Sequence, residues 1–339
     1  MKNVANKNLH AAKSNKKDEF YTQLSDIEKE LRHYKNHFKN KVVLCNCDDP
    51  RVSNFFHYFS YNFEKLGLKK LIATCYKNQD MDLFSQNNSE KAIYLEYCGD
   101  KNGNHIPDLE EIGIKRLKGD GDFRSEECVE LLKQADIVVT NPPFSLFREY
   151  VSQLVTYEKK FLIIGNINAI TYRECFELIK KNKMWLGYNC ARHFAKPDGS
   201  MYETARSFWY TNLDVKKRHE DLIFYKSYKS EEYPKYDNYD AINVDKTKEI
   251  PMDYAGAMGV PITFLDKYNP EQFEIIGQGQ GNLYRELSSK GLNKKFVVDY
   301  YKTGGTGSIK EDHPVLGYYD INGKATIPYM RIVIKNKKL

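Results

Sequence analysis

The 339-residue chain is 41% hydrophobic, enough for a sizeable core, and its length suits a catalytic domain with a second module. Its longest apolar runs, such as Phe161-Leu162-Ile163-Ile164, are far too short to cross a bilayer, and no apolar signal region follows the N-terminal lysines, so neither a membrane protein nor a secreted one is expected. Seven cysteines, odd in number and without a repeated Cys-x-x-Cys framework, fit a reducing cytoplasm.

The net charge of +6 is unevenly spread. Residues 1–17 hold five lysines and no acid, residues 179–219 carry a net +6, and residues 321–339 hold five Lys/Arg and no acid. Positive charge gathered in this way attracts a polyanion in a salt-sensitive, sequence-independent manner. Cys45 and Cys47 lack a second ligand pair, so they read as ordinary buried thiols rather than a zinc site, and no metal site is expected.

In chain order, Ser25-Asp26-Ile27-Glu28 reads as a capping box, followed at helical spacing by Leu31, Tyr34 and Phe38. Lys41–Cys45 and Leu71–Thr74 read as buried strands, and Ala135–Thr140 as a third that ends directly at Asn141. Ser145 is placed to cap a helix carrying Leu146, Tyr150, Val151 and Leu154; Phe161–Ile164 form the next strand. Thr171-Tyr172-Arg173-Glu174 is a second capping-box signal, and short strands at Met184–Leu186 and Ser207–Thr211 extend the sheet. This alternation gives an α/β fold whose core closes near residue 215. Residues 225–254 show no clear periodicity, and the C-terminus reads as a hairpin turning at Asn322-Gly323 between Val315–Tyr319 and Thr326–Ile334.

The most specific signal is Asn141-Pro142-Pro143-Phe144, at the C-terminal end of a strand where α/β sheets bind ligands. Adenine's exocyclic amine is a poor nucleophile because its lone pair is delocalised into the ring. The Asn141 side-chain oxygen and the Pro142 carbonyl can accept its two hydrogens and draw the nitrogen towards a tetrahedral geometry. Pro142 and Pro143 fix the backbone and present no competing N–H, and Phe144 offers a face for an extruded base. Catalysis of this kind is positioning plus polarisation, with no covalent intermediate and no metal.

The expected partner is S-adenosylmethionine. In Gly121-Asp122-Phe123 a carboxylate can accept from the amine of the cofactor's adenine while the ring packs on it; Asp120 is an alternative acceptor. Tyr21 and Thr22 can hold its methionine end. The glycine-rich loop usual after the first strand is replaced by Cys45-Asn46-Cys47-Asp48-Asp49-Pro50. There Asp48 or Asp49 can bind the amino group, and Asn46 or Ser53 can supply polar contacts. No acid ends the second strand, where Thr74-Cys75-Tyr76 stands, so the ribose contact is unassigned. A permuted arrangement would instead use Phe273–Gly281, which reads as strand plus glycine loop.

Taken together, Lys17-Asp18-Glu19-Phe20-Tyr21-Thr22, the Cys45–Pro50 loop, Gly121-Asp122-Phe123-Arg124, Asn141–Ser145, Phe208–Asp214 and Gly259–Asp266 resemble the EcoRI-type adenine-specific DNA methyltransferases over nearly the whole chain. The resemblance implies a Rossmann-like, S-adenosylmethionine-dependent methyltransferase fold over residues 1–215, with a target-recognition module over 216–339. It implies double-stranded DNA as partner, with the chain either the modification enzyme of a restriction-modification system, whose restriction endonuclease would be a functional partner, or an orphan or phage methylase. It also brings Cys47 into the cofactor loop beside Asn46 and Asp48. Similar Asn-Pro-Pro-aromatic loops serve RNA bases and protein glutamine, and a DNA-binding protein with a degenerate pocket is a further alternative.

Overall fold

Val42–Cys45 (β2) and Ile137–Thr140 (β6) have no polar face, and both become strands buried on either side. The computed structural model describes residues 21–47, 53–74, 92–108, 110–195 and 201–339. The basic 1–17 stretch, Lys17–Phe20, Asp48, Asp49, Pro50, Cys75 and Tyr76 lie outside the described residues. The chain divides into two units, Met1–Ile179 with Lys183–Val215, and Lys180–Asn182 with Lys216–Leu339.

The first unit is built on a nine-stranded sheet. Its remaining strands are Tyr21–Thr22 (β1), Lys70–Thr74 (β3), Ile93–Tyr97 (β4), Gly113–Arg116 (β5), Lys160–Asn166 (β7), Trp185–Ala195 (β8) and Met201–Thr211 (β9), in the order β1-β8-β9-β7-β6-β2-β3-β4-β5. The four central strands β7, β6, β2 and β3 run parallel, and the outer ones are antiparallel. This is the Rossmann-like α/β arrangement expected. The helices of this unit are Leu24–Leu31 (α1), Asn54–Tyr61 (α2), Phe63–Leu66 (α3), Glu126–Gln134 (α4), Phe147–Thr156 (α5) and Arg173–Lys180 (α6). Val43, Cys45, Ile137, Val139, Leu162 and Ile164 alternate along their strands and form one cluster with Ile27 and Leu31 of α1 and Phe55 and Phe59 of α2. On α5, Phe147, Tyr150, Val151 and Leu154 are buried. A Cβ on Gly165 of β7 would lie 2.4 Å from the Phe147 ring, so only glycine allows this close approach.

Several local readings are corrected. Helix α1 starts at Leu24 with Gln23 as its N-cap, not at Ser25, because the chain leaves β1 at Thr22 and the Gln23 carbonyl accepts from the Asp26 and Ile27 amides. It ends at Leu31, and Tyr34 and Phe38 reach the core through a 3-10 turn. Ser145 does not cap α5; it lies in the 3-10 turn Phe144–Leu146, and Leu146 occupies the cap position. The Thr171 hydroxyl donates back to the Asn168 carbonyl instead of opening α6.

Glu30 fixes α1 against the sheet. It is fully buried and accepts from the Tyr34 hydroxyl (2.8 Å), the Tyr188 and Asn189 amides (2.8 Å each) and the Asn189 side chain (2.9 Å). Burial raises its carboxyl above the usual range, with the hydrogen bonds opposing that shift.

In the second unit, Ile242–Asn243 (β10), Met258–Pro261 (β11), Phe273–Gln278 (β12) and Arg331–Asn336 (β15) form a four-stranded sheet in the order β10-β11-β15-β12. Tyr318–Tyr319 (β13) and Ala325–Thr326 (β14) pair as a short hairpin around Gly323, whose φ of 75° needs glycine. The expected second arm is thus divided. Pro328 lacks the amide to continue β14, and the chain resumes as β15 at the centre of the other sheet. Helices Gly281–Leu287 (α7) and Lys294–Lys302 (α8) complete the unit. Its tyrosines act as core: Tyr233, Tyr236 and Tyr284 are buried, and the Asn238 side chain bonds the Tyr284 hydroxyl and the Val315 carbonyl.

Replacing Glu30 by Ala leaves the half-buried Tyr188 and Asn189 amides without their acceptor. The expected cost is about 3 kcal/mol of unfolding free energy, read as a lower denaturant midpoint at unchanged slope. An unchanged midpoint would show that Glu30 is not the lock.

Candidate active site

Parallel strands β2 and β6 are neighbours, so the residues that follow them, Asn46 and Asn141, emerge side by side at the C-terminal edge of the sheet. Both are 7% exposed. The Thr140 hydroxyl donates to the Asn46 carbonyl and ties the two strand ends together. From α5, the Tyr150 hydroxyl donates to Asn46 Oδ1, which also receives the Cys47 thiol at 3.6 Å. Burial pushes the Tyr150 phenol far above its ordinary range, so it stays a neutral donor. Cys47 holds φ at 81°, a left-handed conformation uncommon outside glycine, so the chain turns sharply as it leaves β2.

The Asn141–Phe144 loop follows without a break. Asn141 and Pro142 are buried, and Pro143 and Phe144 are half-buried, with Phe144 packed on the edge of the main core cluster. The Pro143 carbonyl accepts from the Leu146 amide at 3.0 Å, which starts the 3-10 turn leading into α5. The prolines and this turn fix the direction in which the Asn141 side chain and the Pro142 carbonyl leave the strand.

Helix α5 also gathers the third signal. The Phe123 ring meets Tyr150 edge-on at 5.0 Å, and Gln153 Nε2 donates to the Phe123 carbonyl at 2.9 Å. Arg124 bonds both oxygens of Asp122, at 2.9 and 2.7 Å, and bridges to Glu149 at 2.8 Å. Partial burial raises the Asp122 carboxyl, but the Arg124 bonds outweigh it and hold the group below the usual range. Asp122 is therefore an ionised acceptor already oriented by Arg124. Asp120 is exposed and accepts from the Asp122 amide at 3.1 Å, so it shapes the turn from outside the buried cluster.

Thr22 lies at the end of β1, where its carbonyl accepts from Asn54 Nδ2 of α2 at 2.8 Å. Ser53 caps α2 through the Phe56 amide. The Thr22 side chain is 1% exposed and its hydroxyl has no hydrogen-bond partner among the described residues. A polar ligand beside the start of α2 would satisfy it. Asp48 and the Tyr21 side chain lie outside what the structure describes.

The structure thus brings Asn46, Cys47, Asp122, Phe123 and the Asn141–Phe144 loop together. The residues that sequence reasoning missed are the supports: Thr140, Tyr150, Gln153, Arg124 and Glu149. Tyr150 was visible only as an apolar-face helix residue, and its partner stands 104 positions away.

The permuted alternative meets a packing explanation. Strand β12 pairs only antiparallel, with β15, and a Cβ on Gly279 would lie 2.7 Å from Leu316 and 3.1 Å from the Arg331 carbonyl. Gly277 and Gly279 thus pack in the core of the second unit, whereas Gly281 is exposed and takes a φ of 70° as the chain enters α7. The basic stretches are also partly internal: Arg218 and Arg331 are buried, bonding Asn182 and Asn243, and Lys217 pairs with Asp266.

Comparison with known proteins places these features in context. A family model described as adenine-specific methyltransferase EcoRI matches residues 8–337. The chain is 49% identical to the Type II methyltransferase M.EcoRI of Escherichia coli, covering 100% of this chain and 99% of that one. It is 36% identical to M.MgeORF184P of Mycoplasma genitalium (98% and 99% covered) and 36% identical to M.MpnI of Mycoplasma pneumoniae (97% and 98% covered), both also Type II methyltransferases. No solved structure matches the chain.

Tyr150→Phe removes one hydroxyl and leaves Asn46 Oδ1 with the thiol alone. The expected loss is about 1–3 kcal/mol of stability, measured by thermal unfolding; an unchanged melting temperature would contradict the role given to this bond.

Proposed function

The chain belongs to the EcoRI family of adenine-specific methyltransferases, and from that premise we propose that it methylates N6 of an adenine rotated out of duplex DNA, using S-adenosylmethionine. The observation that carries the reading is Asn141, buried at the end of the central strand β6 and locked beside Asn46. S-adenosylmethionine supplies an electrophilic methyl group on a sulfonium. Thr22, with its buried hydroxyl, and Asn46 and Cys47 would hold its polar end, as would Asp48; Asp122 and Phe123 would hold its adenine, with Asp120 as an outer acceptor.

The protein's part is to position and polarise. Asn141 Oδ1 and the Pro142 carbonyl accept the two amine hydrogens, concentrating electron density on the nitrogen in a site of low dielectric. Phe144 stacks on the extruded base and keeps it from returning to the duplex. The amine proton leaves to solvent after transfer. Residues 1–215 carry this chemistry, and residues 216–339 recognise the target. No helix among the described residues is long and apolar enough to cross a membrane, and the enzyme would work in the cytoplasm where DNA is reached. A restriction endonuclease would be its functional partner, without a physical complex.

Asn141→Ala should lower kcat on a target-bearing duplex by about 2–4 kcal/mol of transition-state stabilisation while cofactor affinity holds. Near-normal turnover would remove the proposed role. With 2-aminopurine at the target adenine, binding should raise fluorescence as the probe leaves its stacked neighbours. Phe144→Ala should weaken trapping of the flipped base by about 1–3 kcal/mol without changing the salt dependence, and Phe144→Tyr should keep it. A wild-type complex that methylates without any fluorescence rise would count against base flipping.

A further inference from the structure

Helix α5 opens on a charge that its own geometry disfavours. Arg148 stands in the first turn, directly after the Phe144–Leu146 turn, where the aligned amide dipoles of a helix repel a cation. It is exposed, and its guanidinium makes no hydrogen bond or ion pair among the described residues. The adjacent carboxylate, Glu149, is already taken by Arg124. Folding alone gives no reason for a cation at this position.

The side chain is nevertheless held. Arg148 Cζ lies 5.2 Å from the centre of the Tyr172 ring, within the range of a cation–π contact. Tyr172 is a fixed platform: its amide donates to the Ala169 carbonyl at 3.0 Å and its carbonyl accepts from the Phe176 amide at 2.8 Å. Cys175 and Phe176, which follow it, are buried. Contact with the ring restrains the guanidinium and leaves its five N–H donors without an acceptor. Such a group is oriented for a ligand.

Its place in the sheet indicates which ligand. Strands β6 and β7 run parallel, with Thr140 opposite Ile163, so the Asn141 loop and the segment after Asn166 leave the sheet at the same edge. Arg148 follows the first of these exits. Tyr172 follows the second, after the 3-10 turn Ile167–Thr171. Their contact therefore closes across the edge on which the Asn141 loop stands.

We propose that Arg148, oriented by Tyr172, grips a backbone phosphate of the target strand next to the extruded adenine; this rests on the reading of the chain as an adenine methyltransferase of duplex DNA. A planar guanidinium can donate two parallel N–H bonds to one phosphate, and contacts of this kind fix the position of a strand without reading its sequence. An extruded nucleotide requires such a hold, because rotation of the base displaces the backbone on either side of it. Phe144 holds the base, and Arg148 holds the backbone that carries it. Both stand on the rigid start of α5, so the gripped phosphate and the amine acceptors keep a fixed separation.

The test is titration of the full-length protein with a target-bearing duplex carrying 2-aminopurine at the target, over about 50–200 mM salt. The duplex is also made with a neutral methylphosphonate at single phosphates on either side of the target. Arg148→Gln should bind about tenfold more weakly, and the slope of log affinity against log salt should shrink by about 0.9, the share of one phosphate. One methylphosphonate should weaken the wild type by a similar factor and leave Arg148→Gln unaffected. Tyr172→Leu, which removes the ring and keeps the charge, should weaken binding at unchanged slope, and Tyr172→Phe should restore it. Melting temperature and S-adenosylmethionine affinity should not fall in Arg148→Gln. An unchanged slope, no methylphosphonate whose effect vanishes in Arg148→Gln, wild-type affinity in Tyr172→Leu, or a loss of stability or cofactor affinity in Arg148→Gln would overturn the contact. Methylation of the unmodified duplex by the wild type is measured alongside. If it proceeds while Arg148→Gln behaves as the wild type, the contact alone is overturned; if it is absent, the DNA reading falls and takes the contact with it.

Discussion

The hydrogen bonds that converge on Asn46 are the constraint on which the site depends. The Thr140 hydroxyl reaches its carbonyl and the Tyr150 hydroxyl reaches its side chain, so the ends of β2 and β6 and the body of α5 are joined at one residue. None of these groups is charged, and Tyr150 is kept neutral by the same burial that makes its bond strong. A reaction that works by orienting an amine tolerates little play, since a displacement of about 1 Å can cost about two orders of magnitude in rate. Two strands and a helix locked at a buried residue supply that rigidity, whereas a surface loop would not.

The same hub explains how separate stretches of sequence serve one site. The turn at Phe123 is held by Tyr150 and Gln153, and Arg124 links Asp122 to Glu149 of α5. Helix α5 is therefore the element that sets the cofactor-side loop relative to the Asn141 loop. Its own start is dictated by the 3-10 turn that the two prolines lead into.

What the sequence made legible was local chemistry. The buried strands, and the Asn-Pro-Pro-Phe loop ending one of them, follow from short-range pattern and stereochemistry, and so they stand where expected. Ser25, Ser145 and Thr171 are equally local signals, yet each lost its cap position because tertiary pairing or a preceding turn started the helix elsewhere. The supports of the site could not be read, because Tyr150 and Asn46, or Glu30 and Asn189, meet only once the sheet is folded. Strands β8 and β9 run to eleven residues each, against three and five expected, because their pairing with each other extends them beyond the apolar stretch. The Phe273–Gly281 stretch shows the opposite hazard, a glycine pattern that resembles a ligand loop while Gly277 and Gly279 serve packing and Gly281 serves a left-handed turn.

The central claim is that the Asn141 loop holds the amine of an extruded adenine. A crystal structure of the protein with a target-bearing duplex and S-adenosylhomocysteine tests it most directly. The account predicts the target base outside the helix, its N6 within about 2.7–3.2 Å of both Asn141 Oδ1 and the Pro142 carbonyl, and its ring on Phe144. A target adenine still stacked and paired in the duplex, or an extruded base whose amine meets neither acceptor, would contradict it.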